Sequence, residues 1–343
     1  MNKYTLSICI PTYNRADAVT ALIRRILSCP DADLEVVVLD NASLDDTVQR
    51  LAAIDDPRLA VHRNPVNRGV LFNVLNVLLK ARGARCVLVL DKDDADPRAL
   101  PAFKAFLARE RPTFGYCEYH SSSATTAEIH AQGVDALRQV AYSCHHPTGY
   151  FFETARLHQL DIGRQFADAD YVGHFCFEFI FAELAMLGRG AVYHPPTFAP
   201  ETLVAAAQKK SFGTNASQED AFFSPKGRLK MAVNFSRQIA ALPIPPRDRR
   251  QLIVARFVHG MMQATSGFKA VLASQELCSH YHISARAVPA RELMHIALQF
   301  YRGFVEVMVT RGAGAVRISR AALLWALFAR GSRELAQRIA RRA

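Results

Sequence analysis

The chain has 343 residues, of which 50% are hydrophobic and 21% are charged. This balance excludes an intrinsically disordered protein and predicts one large or two modest hydrophobic cores. Residues 1–200 contain 20 Lys and Arg against 23 Asp and Glu, whereas residues 201–343 contain 22 against 8. We therefore expect a near-neutral first region and a basic second region with different partners.

Seven cysteines are scattered singly along the chain, with no Cys-x-x-Cys pair. This spacing favours reduced thiols in the cytoplasm over a disulfide framework or a zinc site. The first 15 residues carry no signal-peptide pattern, and no apolar run approaches the ~20 residues that cross a bilayer. We expect a cytoplasmic protein, either free in solution or peripheral on the inner membrane.

Strand and helix patterns alternate over the first hundred residues. In chain order they predict a strand at "LSICIP", a helix at "ADAVTALIRRILSC", a strand at "LEVVVLD", a helix in "NASLDDTVQRLAAI", a strand at "LAVHRN", a helix at "GVLFNVLNVLLKARG" and a strand at "CVLVLD". Ser43 would cap the second helix, with Asp46 in its capping box, and Gly83 would end the third. Such alternation indicates βαβ units and a parallel sheet covered on both faces.

The pattern changes after residue 100. It predicts strands in "TFGYCEYH", "HHPTGYFFET" and "AVYHPP", with a helix in "GHFCFEFIFAELAMLGRG". After Pro200 it predicts amphipathic helices in "RDRRQLIVARFVHGMMQATSGF", "ARELMHIALQFYRGFVEVMV" and "SRAALLWALFARGSRELAQRIARRA", with "ALPIPPRDRR" as a linker. The predicted fold class is α/β with a helical C-terminal region.

Four carboxylates, Asp91, Asp93, Asp94 and Asp96, crowd into "VLVLDKDDADP" at the end of the fourth predicted strand. Carboxylates this close raise one another's pKa unless a cation intervenes. A hard divalent cation shared with phosphates would supply that charge. Alternate side chains of an extended segment point the same way, which suits the Asp-x-Asp pair. A solvated loop, with Asp96 capping the next helix, is the alternative.

The other predicted strand ends carry complementary groups. "IPTYNR" offers an aromatic ring at Tyr13 and a cation at Arg15, and "LDNAS" offers Asp40 as an acceptor for a base. "NRG" adds Asn67 and Arg68 before a glycine. Because ligands bind at the carboxyl ends of parallel strands, these groups together predict a pocket for a nucleoside diphosphate.

The ordered set "PTYNR … VVLDNASLDDT … NRGV … VLVLDKDDADP" resembles the N-terminal half of the family 2 nucleotide-sugar glycosyltransferases with the GT-A fold. The resemblance covers residues 4 to about 107. It implies a Rossmann-like, mostly parallel central sheet with flanking helices, in a catalytic domain over 1–200. Nucleotide-sugar binding would lie in 1–107 and the acceptor side in 108–200.

The resemblance also implies roles for individual residues. It places these residues at the nucleotide: Pro11, Thr12, Tyr13, Arg15, Asp40, Asn41, Asn67 and Arg68. Asp91 would lean to the ribose and Asp93 to a Mg²⁺ or Mn²⁺ ion, with Asp94 as an alternative metal ligand.

Three carboxylates are candidates for the catalytic base. Inverting members of the family take the acceptor proton with a carboxylate, usually in a Glu-Asp pair at the start of a helix, and this chain has no such pair there. Glu178 is the nearest carboxylate, in an apolar setting that favours a general base. Asp170 and Asp168 are upstream alternatives. Histidines in the same region would shape the acceptor pocket or approach the metal, or would serve only the structure: His145, His146 and His174.

The basic C-terminal helix in "VRISRAALLWALFARGSRELAQRIARR" has an apolar face with Trp325 and Phe328, flanked by arginines. This composition is typical of a helix at an anionic membrane surface, and a packing helix with a solvated basic face is the alternative. The sequence indicates no nucleic-acid-binding fold.

The sequence therefore predicts a glycosyltransferase that moves a sugar from a UDP- or dTDP-sugar to an acceptor hydroxyl with inversion. The expected acceptor is a bacterial surface glycan on a lipid carrier. A nucleotidyltransferase is one alternative, although "PTYNRAD" lacks the glycine- and lysine-rich phosphate loop that it would need. A nucleotide-sugar-binding or scaffold subunit without a base is the other.

Overall fold

The computed structural model describes residues 4–118, 126–142, 146–162, 176–199, 221–310 and 318–340. It divides into two compact units, Met1–Glu201 and Thr202–Ala343. The assignment of the first unit as a catalytic domain stays a prediction.

The described part of the first unit contains ten strands. They run over Tyr4–Thr12 (β1), Leu34–Asp40 (β2), Leu59–Arg63 (β3), Gly83–Leu88 (β4), Asp94–Ala95 (β5), Phe114–Cys117 (β6), Glu128–His130 (β7), Tyr150–Glu153 (β8), Gly190–Tyr193 (β9) and Phe198–Ala199 (β10). Eight of them form one sheet in the order β3-β2-β1-β4-β8-β6-β9-β7, and β5 pairs with β10 in a small second sheet.

The first half of the large sheet is parallel. Strands β3, β2, β1 and β4 all run the same way, with Leu6 opposite Leu34 and Arg85. Strand β8 is antiparallel to both β4 and β6, β9 is parallel to β6, and β7 is antiparallel to β9. The strands β1, β2, β3, β4, β6 and β9 therefore end at one edge of the sheet. The predicted mostly parallel sheet with flanking helices is confirmed.

The helices of the first unit connect these strands within the described residues. They run over Ala16–Leu27 (α1), Thr47–Ala52 (α2), Val70–Leu78 (α3), Leu100–Glu110 (α4), Val134–Ala136 (α5, continued as a π-helical turn over Leu137–Ala141), Thr154–Gln159 (α6) and Cys176–Leu187 (α7). Every residue of β2 is buried, as expected for a strand covered on both faces. On one face the core joins side chains of β1 and α1 to Phe103 of α4, and α3 contacts β1 and β2.

Two local predictions in this unit were wrong. Ser43 does not cap α2, because the helix begins only at Thr47 and the Ser43 hydroxyl donates to Asp40 instead. Gly83 does not end α3 but begins β4, where its N–H donates to the Ser7 hydroxyl at 2.8 Å. A side chain at this position would lie 2.7 Å from that hydroxyl, so the strand pairing requires glycine.

The second unit is helical over its described residues. Its helices run over Pro225–Ala241 (α8), Pro246–Met262 (α9), Phe268–Ala273 (α10), Gln275–His280 (α11), Ala290–Val305 (α12) and Arg320–Ala340 (α13). The sequence patterns had not predicted α8, which Ser224 caps by accepting a hydrogen bond from the Gly227 N–H at 2.9 Å. None of the helices in the described residues is long and apolar enough to span a membrane.

Aromatic side chains form the interior of the second unit. Phe257 of α9 lies 4.9 Å from Phe304 and 6.0 Å from Phe300, ring centre to ring centre, and all three are buried. Of the predicted linker "ALPIPPRDRR", only residues 242–245 connect α8 to α9, and residues 246–250 form the start of α9. Hydrogen bonds from the Arg249 guanidinium to the carbonyls of Leu242 and Ile244 hold this connection. Because Leu242 and Ile244 are themselves buried, this segment belongs to the helical core.

Candidate active site

Asp91 follows the end of β4 and contacts Thr12 at the end of β1. Its carboxylate is almost completely buried. The Thr12 hydroxyl donates to it at 2.9 Å, and the Arg15 Nε lies 3.6 Å away. Burial raises the pKa of Asp91 to about 6, although Arg15 and the Thr12 hydrogen bond act in the opposite direction. Three residues predicted at the nucleotide or metal are thus brought together by the parallel pairing of β1 with β4.

Asp93 is more deeply enclosed, with a fully buried side chain. The Thr148 hydroxyl donates to its carboxylate, and His146 Nδ1 lies 3.6 Å from the same oxygen. The Leu90 N–H donates to the Thr148 hydroxyl at 2.9 Å, which fixes this contact to the end of β4. Burial lowers the pKa of His146, against the opposing effect of Asp93. His146 therefore lies beside the acid cluster.

Asp94 is placed differently from the other two acids. Its side chain is 47% exposed, and its carboxylate lies 3.2 Å from the Arg25 Nε at the end of α1. It also accepts a hydrogen bond from the Ala95 N–H. Because Arg25 already balances its charge, Asp94 has less need of a metal ion than the buried pair.

Asp40 ends β2 with a carboxylate that is fully buried. It accepts hydrogen bonds from the N–H and the hydroxyl of Ser43, and the Arg63 Nε lies 3.3 Å from it. The hydrogen bond predicted between Asp40 and a nucleoside base stays a prediction. It would use a carboxylate oxygen of Asp40 that Ser43 or Arg63 already contacts. The arrangement also holds Arg63, which sequence reasoning had not selected, at the edge of the pocket.

A network of four asparagines joins the ends of the first three strands to α3. The Asn41 amide N–H donates to Asn67 at 2.8 Å, and its carbonyl oxygen accepts from Asn64 at 2.9 Å. Asn64 donates to Asn73, which in turn donates to the Thr12 and Leu39 carbonyls. Asn41 and Asn67 therefore shape the loop geometry as well as lining the edge.

The remaining predicted nucleotide residues lie at the same edge of the sheet. Pro11 is buried in β1, opposite Leu39 of β2, whereas the Tyr13 ring directly after the strand is 37% exposed. Arg68 is exposed and stacks on the Phe72 ring at 4.2 Å. Gly69 is the N-cap residue of α3, and its φ of 83° would be strained for a residue with a side chain. An accessible ring and guanidinium thus flank the buried carboxylates.

Glu178 lies buried in the first turn of α7. Its neighbour Phe177 packs edge-on against Tyr150 at 5.2 Å, and Tyr150 pairs with Leu88 at the end of β4. This packing brings the start of α7 towards the edge that carries the acid cluster. Asp170, Asp168, His145 and His174 lie outside the described residues.

Sequence reasoning missed a second polar cluster at this edge, beyond β6 and β9. His194 is almost completely buried, 2.5 Å from the Glu118 carboxylate and 3.2 Å from that of Glu128. Glu118 directly follows β6 and His194 directly follows β9, much as Asp91 follows β4. Their position after predicted strands was the sequence signal that could have identified them. Thr148 was missed because only the fold brings it to Asp93.

The buried pair of Asp91 and Asp93 fits a hard divalent cation. Both offer oxygen ligands, which Mg²⁺ and Mn²⁺ prefer, and a cation would offset the cost of burial that the raised pKa of Asp91 shows. Three or more His, Cys, Asp or Glu side chains grouped to hold a metal do not occur among the described residues.

Comparison with known proteins identifies the domain that carries this site. Residues 7–166 match the model of the family described as glycosyl transferase family 2. They form a family 2 glycosyltransferase domain. The family resemblance predicted from the strand-end motifs is confirmed. Apart from Glu118, Glu128 and Glu178, the acids and asparagines described above lie between Asp40 and Asp94 of this domain.

The names of curated relatives of the glycosyltransferase domain indicate that these relatives act in bacterial polysaccharide synthesis. The chain is 31% identical over 94 residues to the Escherichia coli UDP-Glc:alpha-D-GlcNAc-diphosphoundecaprenol beta-1,3-glucosyltransferase WfgD, covering 27% of this chain and 37% of WfgD. It is 36% identical over 85 residues to the succinoglycan biosynthesis protein ExoO of Rhizobium meliloti, covering 25% of this chain and 24% of ExoO. The alignments thus span well under half of each relative.

A solved glycosyltransferase shares the fold over most of the chain. The crystal structure of Staphylococcus aureus TarS 1–349 with UDP-GlcNAc superposes with a TM-score of 0.55 at 15% identity. The superposition covers 92% of this chain and 94% of TarS 1–349. At this identity the likeness establishes the fold, and it confirms the predicted GT-A class.

Proposed function

We propose that this glycosyltransferase moves a sugar from a nucleotide-sugar donor to an acceptor hydroxyl. One observation carries the proposal: the ends of β1, β2 and β4 bring Thr12, Asp40, Asp91 and Asp93 to one edge of a parallel sheet. Ligands of open α/β sheets bind at that edge. An exposed ring at Tyr13 and buried carboxylates beside it suit a base and a diphosphate.

The proposed donor is a UDP- or dTDP-sugar. WfgD is named for a UDP-glucose donor, and TarS was crystallised with UDP-GlcNAc. In this chain Tyr13 would stack on the base and Asp40 would accept a hydrogen bond from it. Arg15, 3.6 Å from Asp91, would lie beside the diphosphate.

Asp91 and Asp93 would hold a Mg²⁺ or Mn²⁺ ion together with the diphosphate. When bound, such a cation stabilises the negative charge that develops on the leaving group. Thr12 and Thr148 orient the two carboxylates through their hydroxyls, so both acids are held in place before any ligand arrives.

We propose Glu178 as the base that accepts the proton of the attacking hydroxyl, with Asp170 as the alternative. Direct displacement by that hydroxyl inverts the anomeric centre. The buried position of Glu178 at the start of α7 excludes bulk water, and this favours proton transfer from a bound acceptor.

The proposed acceptor is a bacterial surface glycan linked to a lipid. WfgD and WfaP are both named for a diphosphoundecaprenol acceptor. Helix α13 supplies a matching surface, because Leu323 is buried whereas Trp325 and Phe328 are 69% and 67% exposed. Arg320 flanks these rings. We propose that this face contacts anionic lipid at the inner membrane.

Nucleotide binding tests the site directly. Calorimetry with UDP, dTDP, GDP and ADP, each with Mn²⁺, should show tighter binding of the two pyrimidine nucleotides. Tyr13→Ala should weaken UDP binding by about 1–3 kcal/mol, the usual contribution of base stacking on an aromatic ring. Equal affinity for purines and pyrimidines would contradict a specific base pocket.

A further inference from the structure

Arg63 is the last residue of β3, and it lies opposite Asp40 in the pairing of β2 with β3. Its Nε lies 3.3 Å from the Asp40 carboxylate, and its Nη2 donates to the Ser43 carbonyl at 3.0 Å. The Asp40 side chain is fully buried, whereas the Arg63 side chain is 51% exposed. Among the described residues, Nη1 of Arg63 makes no hydrogen bond. Two fixed contacts thus hold a guanidinium whose remaining N–H groups are available to a ligand.

The order of the strands places Arg63 at the end of the site that is distant from the acid pair. The strands lie in the order β3-β2-β1-β4, and Asp91 and Asp93, which would hold the diphosphate through a cation, follow β4. Neighbouring strands are about 4.8 Å apart, so β3 lies roughly 14 Å from β4. Tyr13 and Asp40, at the ends of β1 and β2, lie between them. A nucleotide whose diphosphate lies at β4 therefore extends its base towards β3 and Arg63.

The Asp40 carboxylate and the Arg63 guanidinium present an acceptor beside a donor. An ionised carboxylate only accepts hydrogen bonds, and a guanidinium only donates them. Uracil and thymine carry the complementary pair, a donor at N3–H beside an acceptor at O4. Cytosine carries the reverse, an acceptor at N3 beside an amino donor at C4. Cytosine at this position would leave the buried polar groups without partners, which weakens binding.

We propose that Arg63 selects uracil or thymine over cytosine by donating a hydrogen bond to O4 of the base. Asp40 would accept from N3–H of the same base, so this inference rests on the proposed function and adds a specificity-determining residue to it. Because Asp40 and Ser43 already orient the guanidinium, little ordering of the side chain is needed when the nucleotide binds.

Calorimetry of UDP and CDP with Mn²⁺ on the full chain tests the proposal, since the two ligands differ only at this edge of the base. UDP should bind the wild-type chain about 10- to 100-fold more tightly than CDP. Glutamine offers either an N–H donor or a carbonyl acceptor, so Arg63→Gln should lower that preference to about threefold or less. Arg50→Gln is the matched control, because Arg50 is also half exposed and paired, with Asp17 and Asp46, but lies on α2. It should keep the full preference.

Pyrophosphate with Mn²⁺ has no base, and it should bind the wild-type chain and Arg63→Gln equally. Arg63→Lys keeps a donor and should keep UDP the tighter ligand, with thermal unfolding as the check on the fold of each variant. Equal affinity of the wild-type chain for UDP and CDP would overturn the proposal, and so would an unchanged preference in a folded Arg63→Gln. Equal weakening of UDP, CDP and pyrophosphate in Arg63→Gln would assign Arg63 to the diphosphate instead. Failure of the wild-type chain to bind UDP at all would contradict the proposed function itself, and this inference with it.

Discussion

Replacing Asp93 by asparagine separates the proposed metal ligand from its neighbours. The Asp93 side chain is fully buried and accepts a hydrogen bond from the Thr148 hydroxyl. Asparagine keeps an acceptor oxygen of the same size but removes the charge. An alanine would leave the Thr148 hydroxyl without its acceptor, at a cost of about 1–3 kcal/mol, so asparagine is the variant that preserves the fold.

The expected loss is in metal-dependent binding. Mutation of outer-shell partners typically costs about 10–100-fold in metal affinity, and loss of a direct carboxylate ligand should cost at least as much. We therefore expect Asp93→Asn to weaken Mn²⁺-dependent UDP binding by at least about 1.4–2.7 kcal/mol. UDP binding without metal should change little.

Asp94→Asn is the matched control. Asp94 is half exposed and paired with Arg25 at 3.2 Å, a surface interaction worth about 0–1 kcal/mol. Calorimetry of UDP with and without Mn²⁺ on both variants gives the answer, with thermal unfolding to check the fold. Normal Mn²⁺-dependent affinity in Asp93→Asn, together with its loss in Asp94→Asn, would refute our assignment of the ligands.

Other predictions concern the base, the buried charge and the membrane. Glu178→Gln should lower the transfer rate about 10²–10⁴-fold with normal UDP affinity, and collapse in Asp170→Asn alone would move the base there. The pKa of Asp91, raised from 3.8 to about 6, means that ionised Asp91 destabilises the folded state, a penalty absent below pH 4 and complete above pH 6. In urea unfolding without metal, Asp91→Asn should therefore raise the free energy of unfolding by up to about 3 kcal/mol at pH 8 and very little at pH 4; equal changes at both pH values would contradict this. Trp325→Ala with Phe328→Ala should reduce co-sedimentation with anionic vesicles, and unchanged binding would make α13 a packing helix.

The sheet and its functional edge could be predicted because their signals are local. The apolar run "LEVVVLD" is a fully buried strand in the structure, and the polar residues after each such run lie at the carboxyl edge that parallel pairing creates. The order of these motifs also sufficed to predict the family. Competition between two hydrogen-bond partners of one side chain was harder to predict. Ser43 matched the pattern of a helix cap, but its hydroxyl donates to Asp40, three residues earlier.

Contacts between distant segments could not be predicted. Thr148 lies 55 residues after Asp93 in the chain, and the His194 contact with Glu118 spans 76 residues. No periodicity or short motif encodes such pairs. Helix α8 was missed although Ser224 followed by Pro225 is a favourable helix start. Gly227 in its first turn lowers helix propensity, whereas packing of buried side chains such as Phe235 and Ile239 stabilises the helix.

Turnover of nucleotide sugars tests the central claim most directly. Release of nucleoside diphosphate should be followed across UDP-, dTDP- and GDP-sugars with Mn²⁺, for the wild-type chain and for Asp93→Asn. We predict that a UDP- or dTDP-sugar is consumed by the wild-type chain and that the same donor is left nearly untouched by Asp93→Asn. Tight UDP binding without turnover of any donor, with or without a lipid-linked acceptor, would contradict the account and favour a donor-binding subunit.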